Sequence, residues 1–143
     1  MNDASPLEPL RAIAAILDQL GLPWCLGGSL ASSFFGEPRA TRDIDRIVRG
    51  DSAFDVSEFS RREVVLIDPG ARISVPIKSA EDSILRKLLW FPEGGSVSDQ
   101  QWRDITGILA AQAGKLDEQY LTLWARQLGF EPLLSRAVSD ARE

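Results

Sequence analysis

Two short stretches hold the residue types that can do chemistry in this chain. One is Leu26-Gly27-Gly28-Ser29; the other is Arg39-Ala40-Thr41-Arg42-Asp43-Ile44-Asp45. A Gly-Gly-Ser bend between a strand and a helix lets backbone approach a ligand closely. The helix start behind it offers free N–H groups and a positive dipole end to an anion, and Ser29 adds a hydroxyl donor. Taken alone, a glycine pair is more often a tight turn than a phosphate site. Asp43 and Asp45, two apart on an expected strand, point to one face. Two carboxylates there repel unless a cation lies between them, and Mg²⁺ suits the position because it prefers oxygen ligands and keeps sites for a substrate phosphate. The bland alternative is a solvated edge strand salted by Arg42 and Arg46. Gly-Gly-Ser one helix upstream favours the metal.

What is absent narrows the chemistry further. The 143 residues include no histidine and one cysteine, Cys25. A Ser-His-Asp triad, a His-ligated zinc and an intrachain disulfide are therefore excluded. The formal charge is −5, and ten of the 16 basic and ten of the 21 acidic residues fall between residues 36 and 90. That balance disfavours long duplex DNA as a partner and leaves an Arg-rich centre suited to a small phosphorylated ligand. No apolar run nears the ~20 residues that span a bilayer, and Met1-Asn2-Asp3 opens neither a basic region nor an apolar signal core. A soluble cytoplasmic protein with no membrane partner is expected.

The elements that must position these residues follow from pattern and punctuation. Ser5-Pro6-Leu7-Glu8 opens a helix that carries Leu7, Leu10, Ile13, Ala14, Leu17 and Leu20 at helical spacing and stops at Gly21 and Pro23. Pro23–Leu26 reads as a buried strand with Cys25 inert inside it, and Ser29–Phe35 as a second helix. Arg42–Val48 reads as a strand and 49–60 as irregular. Glu63–Ile67 and Arg72–Ile77 make a hairpin around Asp68-Pro69-Gly70. From Ser79 the chain reads helical, with starts at Ser79-Ala80-Glu81-Asp82, at Ser98-Asp99-Gln100-Gln101 and at Asp117, where Leu116 and Leu121 form a staple. Gly129 ends the third of these helices, and a last short helix carries Leu133, Leu134, Ala137 and Val138. Trp24, Trp90, Trp102 and Trp124 are expected in the core. The fold class is α+β, α/β-like in its first half: residues 1–78 form an α/β core, and residues 79–143 form a helical part packed on it.

Gly27-Gly28-Ser29 followed by Gly36-Glu37-Pro38-Arg39-Ala40-Thr41-Arg42-Asp43-Ile44-Asp45 resembles the signature of the DNA polymerase β-type nucleotidyltransferase superfamily. The chain is most similar to its abortive-infection (type IV toxin–antitoxin) toxin-like branch. Ser79-Ala80-Glu81-Asp82, Lys87-Leu88, Trp90, Gly94-Gly95, Ser98, Gln101-Trp102-Arg103-Asp104, Leu116-Asp117, Tyr120-Leu121 and Trp124-Ala125 continue the likeness. The resemblance implies a shortened nucleotidyltransferase fold, with a small mixed sheet and a helical C-terminal half. It also implies Mg²⁺-dependent transfer of a nucleoside monophosphate from an NTP to an unidentified acceptor. Gly27, Gly28 and Ser29 would hold the triphosphate. Asp43 and Asp45 would bind metal and carry the catalysis. Arg39, Arg42 and Lys87 would contact the nucleotide, Lys87 having an equal reading as a solvated helix charge.

The pattern breaks at the third carboxylate, which active members carry on a later strand beside the first two. Only residues 46–53 separate Asp45 from Phe54-Asp55, so a middle part of the fold is missing. Asp51, Asp55 and Asp68 are the replacements to weigh. A catalytically inactive nucleotide-binding or protein-interaction module on the same scaffold is the alternative. A shortened sheet with open edges also leads us to expect a homodimer or an antitoxin-like partner protein.

Overall fold

A computed structural model of the chain describes residues 12, 15, 16, 18–21, 24–27, 35, 36, 45–48, 52–68, 70, 73–91 and 96–143. Gly28, Ser29, Arg39, Arg42, Asp43 and Asp51 lie outside them. Among the described residues, the sheet is built from β1 (Trp24–Gly27), β2 (Asp45–Val48), β3 (Glu63–Asp68) and β4 (Ile73–Ile77). Its order is β2-β1-β4-β3. β1 runs antiparallel to β2 and parallel to β4, and β3 pairs antiparallel with β4. The sheet is therefore small and mixed, and with the helical C-terminal half it makes the fold α+β. β2 and β3 stand at its two edges among the described residues.

The helices bounded among the described residues are α1 (Ala53–Ser60), α2 (Ala80–Leu89), α3 (Ser96–Ala111), α4 (Glu118–Leu128) and α5 (Glu131–Ala141). No helix among the described residues is long and apolar enough to cross a membrane. α1 corrects the expectation of an irregular 49–60. A full capping box starts it: the Ser52 hydroxyl accepts from the Asp55 N–H at 3.0 Å, and the Asp55 carboxylate accepts from the Ser52 N–H at 3.1 Å. Phe54, Glu58 and Phe59 are its buried residues. Ser79 and Asp117 cap α2 and α4 as expected, and Gly129 closes α4 in the left-handed region at φ +86°. α3 begins at Ser96, ahead of the expected start at Ser98. The hairpin expected around Asp68-Pro69-Gly70 is present as β3 and β4, with a register shift between Leu66 and Asp68.

The core lies mainly among the helices. Ile84, Leu85, Ile105, Ile108 and Ala125 are fully buried, with Leu88, Leu121, Leu134 and Phe54 around them. Burying one such aliphatic side chain stabilises by roughly 1.5–3 kcal/mol relative to leaving it exposed. Trp24 and Cys25 are buried in β1, as expected. Trp90 is not a core residue: it is 70% exposed at the C-terminus of α2. Its ring lies 5.0 Å from the Arg86 guanidinium, a contact that leaves much of the ring in water. Trp102 and Trp124 are half-buried against the core.

Candidate functional site

The strand registers gather several elements at one end of the sheet. Gly27, the last residue of β1, stands opposite Asp45, the first of β2. Leu26 pairs with Ile77 near the end of β4, and Glu63, which opens β3, also pairs with Ile77. Two residues after Ile77 the chain turns into α2 at Ser79. Because β1 and β4 are parallel, this is the carboxyl end of both, the end at which open α/β sheets hold ligands. The last turn of α1 arrives there too, since Arg61 and Arg62 run directly into Glu63.

This register unites two sequence-predicted site residues, Gly27 and Asp45. Gly28 and Ser29 continue from Gly27, and Asp43 precedes Asp45 by two residues, all outside the described set, as are Arg39 and Arg42. Lys87 is placed differently. It lies about 10 Å along α2 from Ala80, at 1.5 Å rise per residue. Its ammonium donates to Gln101 Oε1 at 3.0 Å and pairs with Asp104 Oδ2 at 3.4 Å, and these bonds tie α2 to α3. Of the replacement carboxylates, Asp68 ends β3 opposite Ile73, at the far end of the sheet from Asp45. Asp55 lies in the first turn of α1 and accepts from Arg86 Nη2 at 2.6 Å. The hydrogen bond from Arg86 holds its carboxyl below the usual carboxylate value.

Between this sheet end and the core runs a network of buried charge that sequence reasoning did not single out. Glu58 and Lys78 are 1% and 2% exposed. Lys78 Nζ donates to Glu58 Oε2 at 3.3 Å. Arg86 grips the same carboxylate twice, Nε to Oε2 at 3.1 Å and Nη2 to Oε1 at 3.0 Å. Burial pulls the Lys78 pKa down, against the opposing pull of Glu58. Nearer the start of α2, Arg61 Nη2 donates to Glu81 Oε1 at 2.6 Å and its Nε lies 3.5 Å from Asp82 Oδ2. Ser79 Oγ donates to Asp82 Oδ2 at 2.7 Å, and the Tyr120 hydroxyl donates to Asp82 Oδ1. Ser57 Oγ and Tyr120 Oη are 2.8 Å apart. The Arg61 guanidinium lies 3.8 Å from the centre of the Tyr120 ring. Burial raises the Glu81 and Asp82 carboxyls, and burial with the Asp82 bond raises the Tyr120 phenol. In β1, burial pushes the Cys25 thiol up to about 11, which keeps it protonated and unreactive at neutral pH.

A signal for part of this network stood in the sequence. Lys78 is a charge immediately after the apolar β4, and Glu58 follows Phe54 by four residues and adjoins Phe59, a charge placed among aromatic residues. A charge on an apolar face is buried only when paired.

Asp43 and Asp45 would be the residues to hold Mg²⁺. The donor chemistry fits: hard carboxylate oxygens, one or two of which serve a magnesium ion that also takes substrate phosphates. Gly27, the residue opposite Asp45, carries no side chain. Among the described residues no three acidic, cysteine or histidine side chains cluster as a metal cage. A scan against models of protein families and a comparison with curated proteins both find no match for the chain.

Proposed function

We propose that the chain is a nucleotidyltransferase-like protein that binds a nucleoside triphosphate with Mg²⁺ where Gly27 meets Asp45. Its activity is transfer of the nucleoside monophosphate to an acceptor not yet known. The observation that supports this reading is the pairing of Gly27 with Asp45 at the carboxyl ends of β1 and β4. Two motifs separated by 17 residues in sequence become neighbours on adjacent strands, roughly 5 Å apart.

Each group has a defined task. Backbone N–H groups at Gly28 and Ser29 bind the polyphosphate, with the Ser29 hydroxyl adding a donor. Asp43 and Asp45 hold the cation, which when bound neutralises phosphate charge and activates the transfer. Arg39 and Arg42 balance further negative charge on the nucleotide. The Lys78 N–H bonds the Leu26 carbonyl and joins the ends of β1 and β4, and Ser79 then caps α2.

A second reading is an inactive module on the same scaffold, binding nucleotide or an antitoxin-like protein. The positions of Asp55, held by Arg86, and Asp68, at the far end of the sheet, favour it, because neither stands beside Asp45. Calorimetric titration with Mg²⁺ and each NTP tests the binding: the expected result is saturable heat with one or more NTPs, abolished in Asp43→Ala. No heat with any NTP refutes the reading. Transfer of radiolabel from α-labelled NTP to protein or RNA in a lysate then separates an enzyme from an inactive binder.

A further inference from the structure

Lys78 is the least compensated buried charge among the described residues at the sheet end. Its backbone N–H donates to the Leu26 carbonyl at 3.2 Å, so it stands level with Gly27, the last residue of β1. Its ammonium has three donors. Among the described residues it makes one side-chain bond, the 3.3 Å contact with Glu58, although the residue is 2% exposed. Glu58 does not depend on that contact, since Arg86 already binds both of its oxygens at shorter range. Burying an ammonium costs several kcal/mol unless excellent geometry returns it, and an apolar side chain of like size does as well or better for stability. A weakly held cation therefore persists beside the ends of β1 and β4 without a stability reason.

We propose that Lys78 is an anion-binding residue of this site, parked on Glu58 in the free protein and transferred to a phosphate oxygen of the polyphosphate when it binds. The exchange is balanced in charge. Lys78 trades one oxyanion for another, and Glu58 keeps Arg86. The inference rests on the nucleotide-binding reading above and adds a residue to it.

Two variants with opposite expected signs test it, each checked for folding by circular dichroism and titrated with Mg·ATP and with inorganic tripolyphosphate. Lys78→Met, which removes one charge-assisted bond, weakens both ligands by roughly tenfold or more. Glu58→Gln removes the competing charge and keeps an acceptor for Arg86, so both ligands bind more tightly. A purely structural pair predicts weakening in both variants. Wild-type affinity in folded Lys78→Met overturns the assignment. If Lys78→Met does not fold, Glu58→Gln decides: unchanged or weaker binding overturns it. Wild-type protein that binds neither ligand refutes the nucleotide-binding reading itself. Binding that Asp43→Ala loses and Lys78→Met keeps refutes Lys78 alone.

Discussion

Two bidentate Arg–Glu pairs in this chain have nearly identical geometry and opposite surroundings. Arg86 grips Glu58 at 3.1 and 3.0 Å, and Arg126 grips Glu131 at 3.1 and 3.1 Å. The side chains of the first pair are 12% and 1% exposed; those of the second are 69% and 41%. Removing Arg86 leaves Glu58, on the buried face of α1, with the 3.3 Å bond to Lys78 alone among the described residues, and it also takes from Asp55 its 2.6 Å partner. Breaking a buried pair from one side costs about 3–5 kcal/mol, because the orphaned charge keeps its desolvation penalty. For a domain of this size that lowers the melting midpoint by on the order of 10 °C. Arg86→Met is therefore strongly destabilising, whereas Arg126→Met leaves the midpoint unmoved, since water replaces the lost partner. Thermal unfolding followed by circular dichroism measures both. Equal midpoints for Arg86→Met and Arg126→Met would refute the claim that burial sets the value of these pairs.

Three further outcomes are expected. Tyr120→Phe deletes the hydroxyl that donates to buried Asp82 and lowers stability by about 1–3 kcal/mol, read from urea melts. Gly129→Ala forces a side chain onto the φ +86° residue that closes α4 and costs about 1–2 kcal/mol, by the same assay. Asp55 has its pKa lowered by its bond from Arg86. Its stabilising effect is therefore complete above the ordinary value of 3.8 and is lost as pH falls through the lower folded value. Midpoints of wild type and Asp55→Asn should accordingly differ at neutral pH and converge on acidification. A gap that stays constant down to the acid limit would contradict that sign.

Sequence pattern located the elements well wherever a cap or a turn residue speaks locally. Ser79, Asp117 and Gly129 mark helix ends by their own hydrogen bonds and backbone freedom, and each stands where it was expected. α1 escaped because its box closes with Asp55, a shorter side chain than the Glu or Gln of the usual signature, and because eight residues are too few for a clear helical period. Trp90 misled because an aromatic residue on an amphipathic helix normally turns inward. Here it follows the last residue of α2 and lies against Arg86 at the surface. Of the candidate site, the neighbourhood of Gly27 and Asp45 was legible as two motifs one helix apart. The Glu58–Lys78–Arg86 network was not, because it is assembled from α1, the end of β4 and α2, and pairings that distant in sequence leave no periodic trace.

The sheet order also bears on what kind of activity the site can support. Two-metal transfer needs carboxylates around ions roughly 3.5–4 Å apart. From β2 to β3 the sheet spans three strand spacings, roughly 14 Å, and Asp68 adds the length of β3 to that separation. Asp55 would have to leave Arg86 before it could serve a metal. Neither Asp55 nor Asp68 is therefore the third carboxylate as placed, and among the described residues the outer edge of β2 is where an added strand would stand beside Asp45. On the proposed reading, binding of a magnesium–nucleotide demands only the Gly27-Gly28-Ser29 and Asp43–Asp45 motifs, whereas transfer demands that extra group. The two are separable: nucleotide heat with no label transfer from the purified chain, and transfer restored by a partner that protects β2 amides from hydrogen exchange, would identify the missing group as one supplied in trans. Transfer by the purified chain alone would require instead that Asp51, or another carboxylate of the same chain, reach Asp45.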